Sequence, residues 1–483
     1  MKTMMFVLCA AAATALTFSS CGKHERQNPF MKAYDNKYQI PPFEEIQISD
    51  YEPAFEAGIA EANAAIDSIV NNPEAPTFAN TILPLDCLSP TLERVMSVLM
   101  SLTEANSTPE LQEVSEKLLP RYSAFSDELM MNDGLFARVK TLYDSRDSIG
   151  LAHDEMRALD QTYKDFVRNG ALLTPEQKKE LKEVNAQLSN LYIKFNKNLL
   201  NANNTFEIVV DDKAELAGIP ESTVENAAAE AKSRGKEGKW VFTLHAPSRL
   251  PGLQYADSRD LREKMWKGYT SNAQSGDNDN RPVIAEIVKA RARKAAILGF
   301  PTFAAYMTDA VMAKTPEAAE QLLLSIWEPA KAKVAEEVAE MQTLSNSLGN
   351  NFEIQPWDYY YFAEKVRQQK YALDENAIRP YFAVDSVAKG IFTMANKLYG
   401  ITFEEMPDAP KYHPDVKVYE AKDADGNHLA VFMTDYFTRP EKRQGAWMEE
   451  LKTSWINPDG EVGADGVFRS EEHTSELQSH HDL

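Results

Sequence analysis

The side chains best suited to holding a catalytic metal in this sequence are its eight histidines, and their spacing decides what they can do. A hydrolytic zinc site needs two imidazoles one helical turn apart, so that both face the metal. It also needs a Glu between them as general base on the zinc-bound water, and a third protein ligand from further along. His24 is followed by Glu25, but the fourth residue on is Asn28. His153 precedes Asp154 and Glu155, yet Arg157 takes the second ligand position. His245, His413 and His428 stand singly, and the adjacent pair His480-His481, close to His473, cannot share one helix face. No pair has metal-ligand spacing, so no catalytic or metal-ligating residue is nominated. A second oxygen-rich run, Asp423, Asp425 and Asn427, alternates as calcium ligands do. It fails as a calcium loop because His428 sits where Gly is needed and Thr434 where a bidentate Glu is needed.

The elements that must position any site are mostly helical by pattern. Thr174-Pro175 supplies an N-cap followed by Pro at the first helical position, with Gln177 placed to close a capping box. Leu181, Val184, Leu188, Leu191, Phe195 and Leu199 then recur every three or four residues. They form one apolar stripe on a long helix expected to end near Asn203-Asn204. Residues 54–70, 92–107 and 111–131 repeat the pattern more weakly. Residues 282–298 form a further helix, stopped by Gly299 and Pro301. Thr315-Pro316 opens the next, which Pro329 should kink. Short strands are expected at 205–210 and 239–244. The clearest strand signal is the pair 416–421 and 428–436, joined through Asp425-Gly426 as a hairpin.

The chain has 483 residues, 43% of them hydrophobic, enough for a large core and at least two lobes. Its formal charge of -22 argues against a nucleic-acid partner, whose phosphates need clustered Lys and Arg. Three cysteines, Cys9, Cys21 and Cys87, give no disulfide framework. Lys2 and the apolar or small run 4–18 have the length of a signal-peptide core and are too short to span a bilayer comfortably. Phe18-Ser19-Ser20-Cys21-Gly22 is similar to a lipobox. Residues 1–20 are therefore expected to be cleaved, Cys21 to carry lipid, and 21–37 to act as a tether. The mature protein would be an exported, membrane-anchored lipoprotein of a bacterial periplasm or outer membrane. An ordinary cleaved signal, with Cys21 incidental, is the alternative.

One stretch carries most of the remaining information. It holds Pro356-Trp357-Asp358-Tyr359-Tyr360-Tyr361-Phe362-Ala363-Glu364-Lys365, Arg379-Pro380-Tyr381-Phe382 and Leu398-Tyr399-Gly400-Ile401-Thr402-Phe403. Tyr412-His413-Pro414-Asp415-Val416 and Arg439-Pro440-Glu441-Lys442-Arg443-Gln444-Gly445-Ala446-Trp447 complete it, and Val311-Met312-Ala313-Lys314-Thr315-Pro316 precedes it. In that order the blocks resemble the thimet oligopeptidase and peptidyl-dipeptidase family of zinc metallopeptidases, nearest to the bacterial dipeptidyl carboxypeptidases. The resemblance runs from about Asn28 to Phe468 and is densest after Lys239. It implies a mainly α, two-lobed, zincin-type (neurolysin-like) fold with a small β-sheet. A helical lobe would cover 38–238, and the first part of the metallopeptidase domain 239–468. It also implies a monomer that releases dipeptides from the C-termini of short peptides, or cuts them internally, through water polarised on zinc with Glu as base.

In the family an H-E-x-x-H helix follows shortly after these blocks, and none follows here before Leu483. The C-terminal part of the fold is therefore expected to be missing. The fragment should bind no zinc, be inactive and leave an apolar face uncovered. In the resembling family the sheet's edge strand pairs with the substrate backbone, which makes Arg439, Lys442, Arg443 and Trp447 candidate groove residues. A solvated basic turn is the other reading of the three cations. Trp357, Tyr359, Tyr360, Tyr361 and Met312 read as packing. The first four sit on a helix from Pro356 whose early Asp358 and late Lys365, Arg367 and Lys370 complement its dipole. From Arg469 onward the composition changes, and residues 469–480 read like the translation of a sequencing-library adapter, a foreign tail over 469–483. A non-enzymatic helical periplasmic lipoprotein, a binding or scaffold module that lost catalysis, fits the same absent motif.

Overall fold

The computed structural model describes residues 26–372, 375–452 and 466–471. The expected signal peptide, Cys21 and the residues after Glu471 lie outside these. Five helices, α1 (Ile48–Val70), α2 (Pro90–Ala105), α3 (Pro109–Met130), α4 (Asp133–Ser145) and α5 (His153–Arg168), make the N-terminal bundle. Ser89, Thr108 and Asn132 cap three of them by accepting a backbone N–H with the side-chain oxygen. The chain is already packed well before residue 38. Asn28 Nδ2 donates to Asp50 O at 2.8 Å, Phe30 is buried against Tyr51, and Arg94 Nε donates to Phe30 O at 2.9 Å. The stretch expected to act as a tether is thus packed from Asn28 onward.

The long α6 (Pro175–Thr205) starts where the capping box places it. Thr174 Oγ1 accepts from Gln177 N at 3.3 Å and Gln177 Oε1 accepts from Thr174 N at 3.1 Å. From its stripe, Val184 and Leu188 pack on Val283, Ile287 and Ala290 of α10 (Arg281–Ile297). Gly299, at φ +81, turns the chain after α10. β1 (Ile208–Val210) and β2 (Trp240–Phe242) pair antiparallel, with Ile208 opposite Phe242. They share one small core with α7 (Glu221–Ser233), α8 (Ala246–Tyr255) and α9 (Arg259–Thr270). The expected boundary between residues 238 and 239 therefore cuts through a sheet and its core. The physical unit runs across it.

Next come α11 (Phe303–Asp309), α12 (Pro316–Ser347), α13 (Tyr359–Tyr371) and α14 (Val384–Tyr399). Helix α12 continues through Pro329 for 32 residues. A second sheet has the order β3-β4-β5-β7-β6, from β3 (Thr402–Glu405), β4 (Lys417–Lys422), β5 (His428–Asp435), β6 (Trp447–Lys452) and β7 (Gly466–Glu471). All its pairs are antiparallel except β5 with β7. In the β4–β5 hairpin the Asp423 carboxylate accepts from Asp425 N and Asn427 N at 2.9 and 2.8 Å, and Gly426 takes φ +83. That carboxylate serves the turn. Val416, Val418, Val431, Met433 and Leu451 belong to the same buried cluster as Phe30, Tyr51 and Phe166. The sheet and the N-terminal helices are one core.

Candidate functional site

β5 delivers Asp435 into that core fully buried, and an isolated carboxylate there would be prohibitively costly. The sequence supplies two of its partners, Arg439 and Lys442, within seven residues, and a third, Tyr412, from 23 residues earlier. Arg439 grips Asp435 with two nitrogens at 2.9 and 2.7 Å, and Tyr412 donates its hydroxyl at 2.8 Å. Lys442 Nζ lies 3.2 Å from the carboxylate and donates to the carbonyls of Asp435 and Phe437 at 2.5 and 3.3 Å. Burial alone would push the Asp435 carboxyl up. The Arg439 hydrogen bonds and the charges of Lys442 and Arg439 outweigh it and hold the group below the usual carboxylate range.

This hub folds residues 439–443 into a turn that docks on two helices. Arg439 Nη2 donates to Ala105 O at 2.6 Å, Ser107 N to Glu441 O at 2.7 Å, and Arg443 N to Glu104 O at 2.8 Å, all at the end of α2. Asn204 of α6 donates to Pro440 O at 3.0 Å. Arg443 pairs with Glu104 at 2.7 Å, and its guanidinium lies 4.4 Å from the Trp447 ring centroid. The four candidate groove residues are therefore brought to one place, but they divide. Lys442 is fully buried and Arg439 nearly so; both hold Asp435, so for these two the solvated-turn reading is corrected. Arg443 and Trp447 remain reachable. One cavity, about 440 Å³, opens between α3 and α6 beside Arg443 and Gln444. Another, about 300 Å³, lies on the other side of the turn beside Arg439, Pro440 and His245.

A second buried carboxylate, Asp358, explains the aromatic motif. It accepts from Arg259 at 2.9 Å and Arg262 at 2.8 Å, and burial, which raises its pKa, is outweighed by these hydrogen bonds so that it stays low. A 3₁₀ turn covers Pro356–Asp358, and the helix proper begins at Tyr359. Asp358 is therefore an ion-pair centre joining α9 to α13, where a helix-dipole role was expected. Phe362 is buried as packing requires, while Tyr360 is partly exposed and its neighbour Tyr361 donates to Asp257 at 2.8 Å.

The described histidines do not converge. His153 opens α5, His245 Nδ1 lies 3.2 Å from Thr243 Oγ1, and His413 sits near Asp415. His428 Nδ1 contacts Glu420 at 3.1 Å and its ring stacks on Tyr38. Among the described residues no three His, Cys, Asp or Glu side chains gather as metal ligands. The described donors by themselves make no set that fits a hydrolytic zinc ion. Sequence reasoning missed Glu420, whose partner Tyr38 lies far away in the chain, and Asp435, whose burial follows only once the sheet is assembled.

Residues 252–471 match the model for peptidase family M3. The chain is 38% identical over 423 residues to the dipeptidyl carboxypeptidase of Salmonella typhimurium, covering 87% of this chain and 62% of that protein. The same figures hold for the dipeptidyl carboxypeptidase of Escherichia coli. Oligopeptidase A of Salmonella typhimurium is 30% identical over 438 residues, covering 90% of this chain and 64% of the relative. The chain thus spans about three fifths of the length of these relatives. The match reaches Glu471, as β7 does, beyond the change of composition at Arg469.

Proposed function

Residues 252–471 belong to peptidase family M3, and from that premise we propose that this chain is the N-terminal part of a zinc-dependent peptidase of the dipeptidyl carboxypeptidase type. The longer protein would release dipeptides from the C-termini of short peptides. The observation that carries this reading is the identity with dipeptidyl carboxypeptidases through the N-terminal helices as well as the matched domain. The zinc ligands are assigned to sequence beyond this chain, because the donors described here do not fit the ion. The chain by itself is accordingly inactive and acts as scaffold and one wall of the substrate channel.

Uncovered apolar surface supports the same division. Leu322, Leu323, Ile326 and Trp327 of α12, and Ile391, Met394, Leu398 and Tyr399 of α14, are all more than half exposed. Contiguous apolar patches of this kind mark surfaces that another element covers. The mature protein is further proposed to hang from a membrane by lipid on Cys21, as its lipobox-like run suggests. The tail from Arg469 is proposed to be foreign. Its strand pairing uses backbone groups that any sequence supplies.

Reading the genomic locus tests this directly. An H-E-x-x-H codon series in frame with Phe468 is the expected result. A native stop codon directly after Leu483, with no peptidase sequence beyond, would sink it.

A further inference from the structure

Arg138, Arg249 and Arg262 are the arginines buried as whole residues among those described. For two of them the fold supplies the acceptors. Arg262 Nη2 donates to Asp358 at 2.8 Å and its Nη1 to the Ala256 carbonyl at 2.7 Å. Arg138 donates through its Nη atoms to the carbonyls of Asn72 and Glu74 at 3.0 and 3.3 Å and to the Asn80 side chain at 3.1 Å. Arg249, on α8, is treated differently. It is 8% exposed, and its one hydrogen bond among the described residues runs from Nε to Leu244 O at a long 3.4 Å. No described carboxylate forms an ion pair with it.

Arginine is almost never buried unless it is paired. Burial pulls the Arg249 pKa below its ordinary value, but a guanidinium keeps its charge in proteins, so the cost falls on the fold. The face of the Tyr269 ring on α9, its centroid 3.6 Å from the guanidinium carbon, offsets part of that cost. It leaves the terminal N–H groups without acceptors. Those nitrogens are not sealed from solvent. Tyr269 and Tyr360 of α13, the two side chains that act electrostatically on Arg249, both reach the surface. No hydrogen bond among the described residues uses either hydroxyl, and a phenol is a donor, not a counter-charge. We propose that Arg249 is the floor of a binding site for a small tetrahedral oxyanion, of which inorganic phosphate is the simplest. The guanidinium fork takes two oxygens, and the Tyr360 hydroxyl at the mouth donates to a third. A planar carboxylate has no third oxygen to offer. The site is built on α8, α9 and α13 and uses neither the Asp435 hub nor a metal, so it stands apart from the peptidase reading.

Isothermal titration of the full chain with inorganic phosphate tests it, at an ionic strength held fixed with sodium chloride and with acetate as the second arm. One saturable phosphate site is expected, with acetate about tenfold weaker. Arg249→Met removes the charge and keeps the bulk. It should abolish phosphate binding while the thermal unfolding midpoint holds or rises, because a buried unpaired charge has gone. Arg249→Lys keeps the charge without the fork and should weaken phosphate about tenfold, which decides the matter even where the Met variant folds poorly. Tyr360→Phe should bring phosphate and acetate to similar affinity. No saturable phosphate binding by the unsubstituted chain, acetate bound as tightly as phosphate, or phosphate affinity unchanged by both Arg249 variants would overturn the proposal.

Discussion

The sheet region and the helices before it treat their side chains in opposite ways. Around β4, β5 and β6, every buried carboxylate described above has cations or hydroxyls against it, and the apolar residues merge with the N-terminal core. Along α12, only Met341 and Ser345 are buried, and a run of large apolar side chains faces outward. α14 buries only Ala388. Both regions lie inside the stretch matched by the M3 family model, so that match does not separate them. Closure does. The first region finds its partners in the N-terminal helices, and the second has none among the described residues that covers its apolar side.

The largest test strikes the closed region. Asp435→Ala strands two cations in the core, which should cost about 3–5 kcal/mol, read as a lowered midpoint in urea unfolding. A change under about 1 kcal/mol, the scale of an exposed pair, would mean that the hub is ornamental and the contrast overstated. Asp358→Ala comes next, at about 3 kcal/mol or slightly less, because Arg259 is partly exposed and can rehydrate when its partner goes.

Titration sharpens the comparison inside the closed region itself. Glu420 is fixed by Tyr38, His428, Lys37 and Lys422, which outweigh the upward push of burial and bring its carboxyl down to about 2. A folded pKa below the unfolded one gives stability that is present above about pH 4.5 and is lost as pH falls toward 2. Asp127, on α3, is raised to about 6 mainly by burial, despite a hydrogen bond from Asn185 and the charges of Lys294 and Lys182. Its sign is opposite: the seam between α3, α6 and α10 should gain stability as pH falls from 6 toward 4. Hydrogen exchange followed across pH 6 to 3 should show the α3–α6 seam tightening before the β4–β5 hairpin loosens. The reverse order would contradict both assignments.

The smallest effect on stability belongs to the open region. Leu323→Glu combined with Trp327→Glu should shift the unfolding free energy by no more than about 0.5 kcal/mol. The same pair should reduce binding of a hydrophobic dye and light scattering. A large loss of stability would show that α12 is packed after all.

Much of the fold was legible because local rules fix it. The Thr174 cap, the Gly299 stop, the β1 and β2 strands and the Asp425-Gly426 turn each depend on neighbours within a few residues. What escaped depends on distant partners. Tyr38 hydrogen-bonds Glu420 across 382 positions, and nothing local to either residue announces the other. Asp435 looked like the end of a hairpin, since its burial follows only when β6 and β7 extend the sheet. The division expected at residue 238 separates β1 from β2, a pairing that no local signal on either strand announces. Arg439 and Lys442 were named with Arg443 and Trp447 as candidate groove residues, and both turn inward onto Asp435. Their role could not be read, because charge in a sequence does not say which way a side chain turns.

As proposed, this chain is a scaffold whose catalytic metal would be held elsewhere. Metal analysis of the full purified chain, after equilibration with zinc and removal of the excess, decides it most directly. Far less than one equivalent of retained zinc is predicted, with no cleavage of a short blocked peptide. One tightly held zinc ion per chain, with chelator-sensitive cleavage, would contradict it.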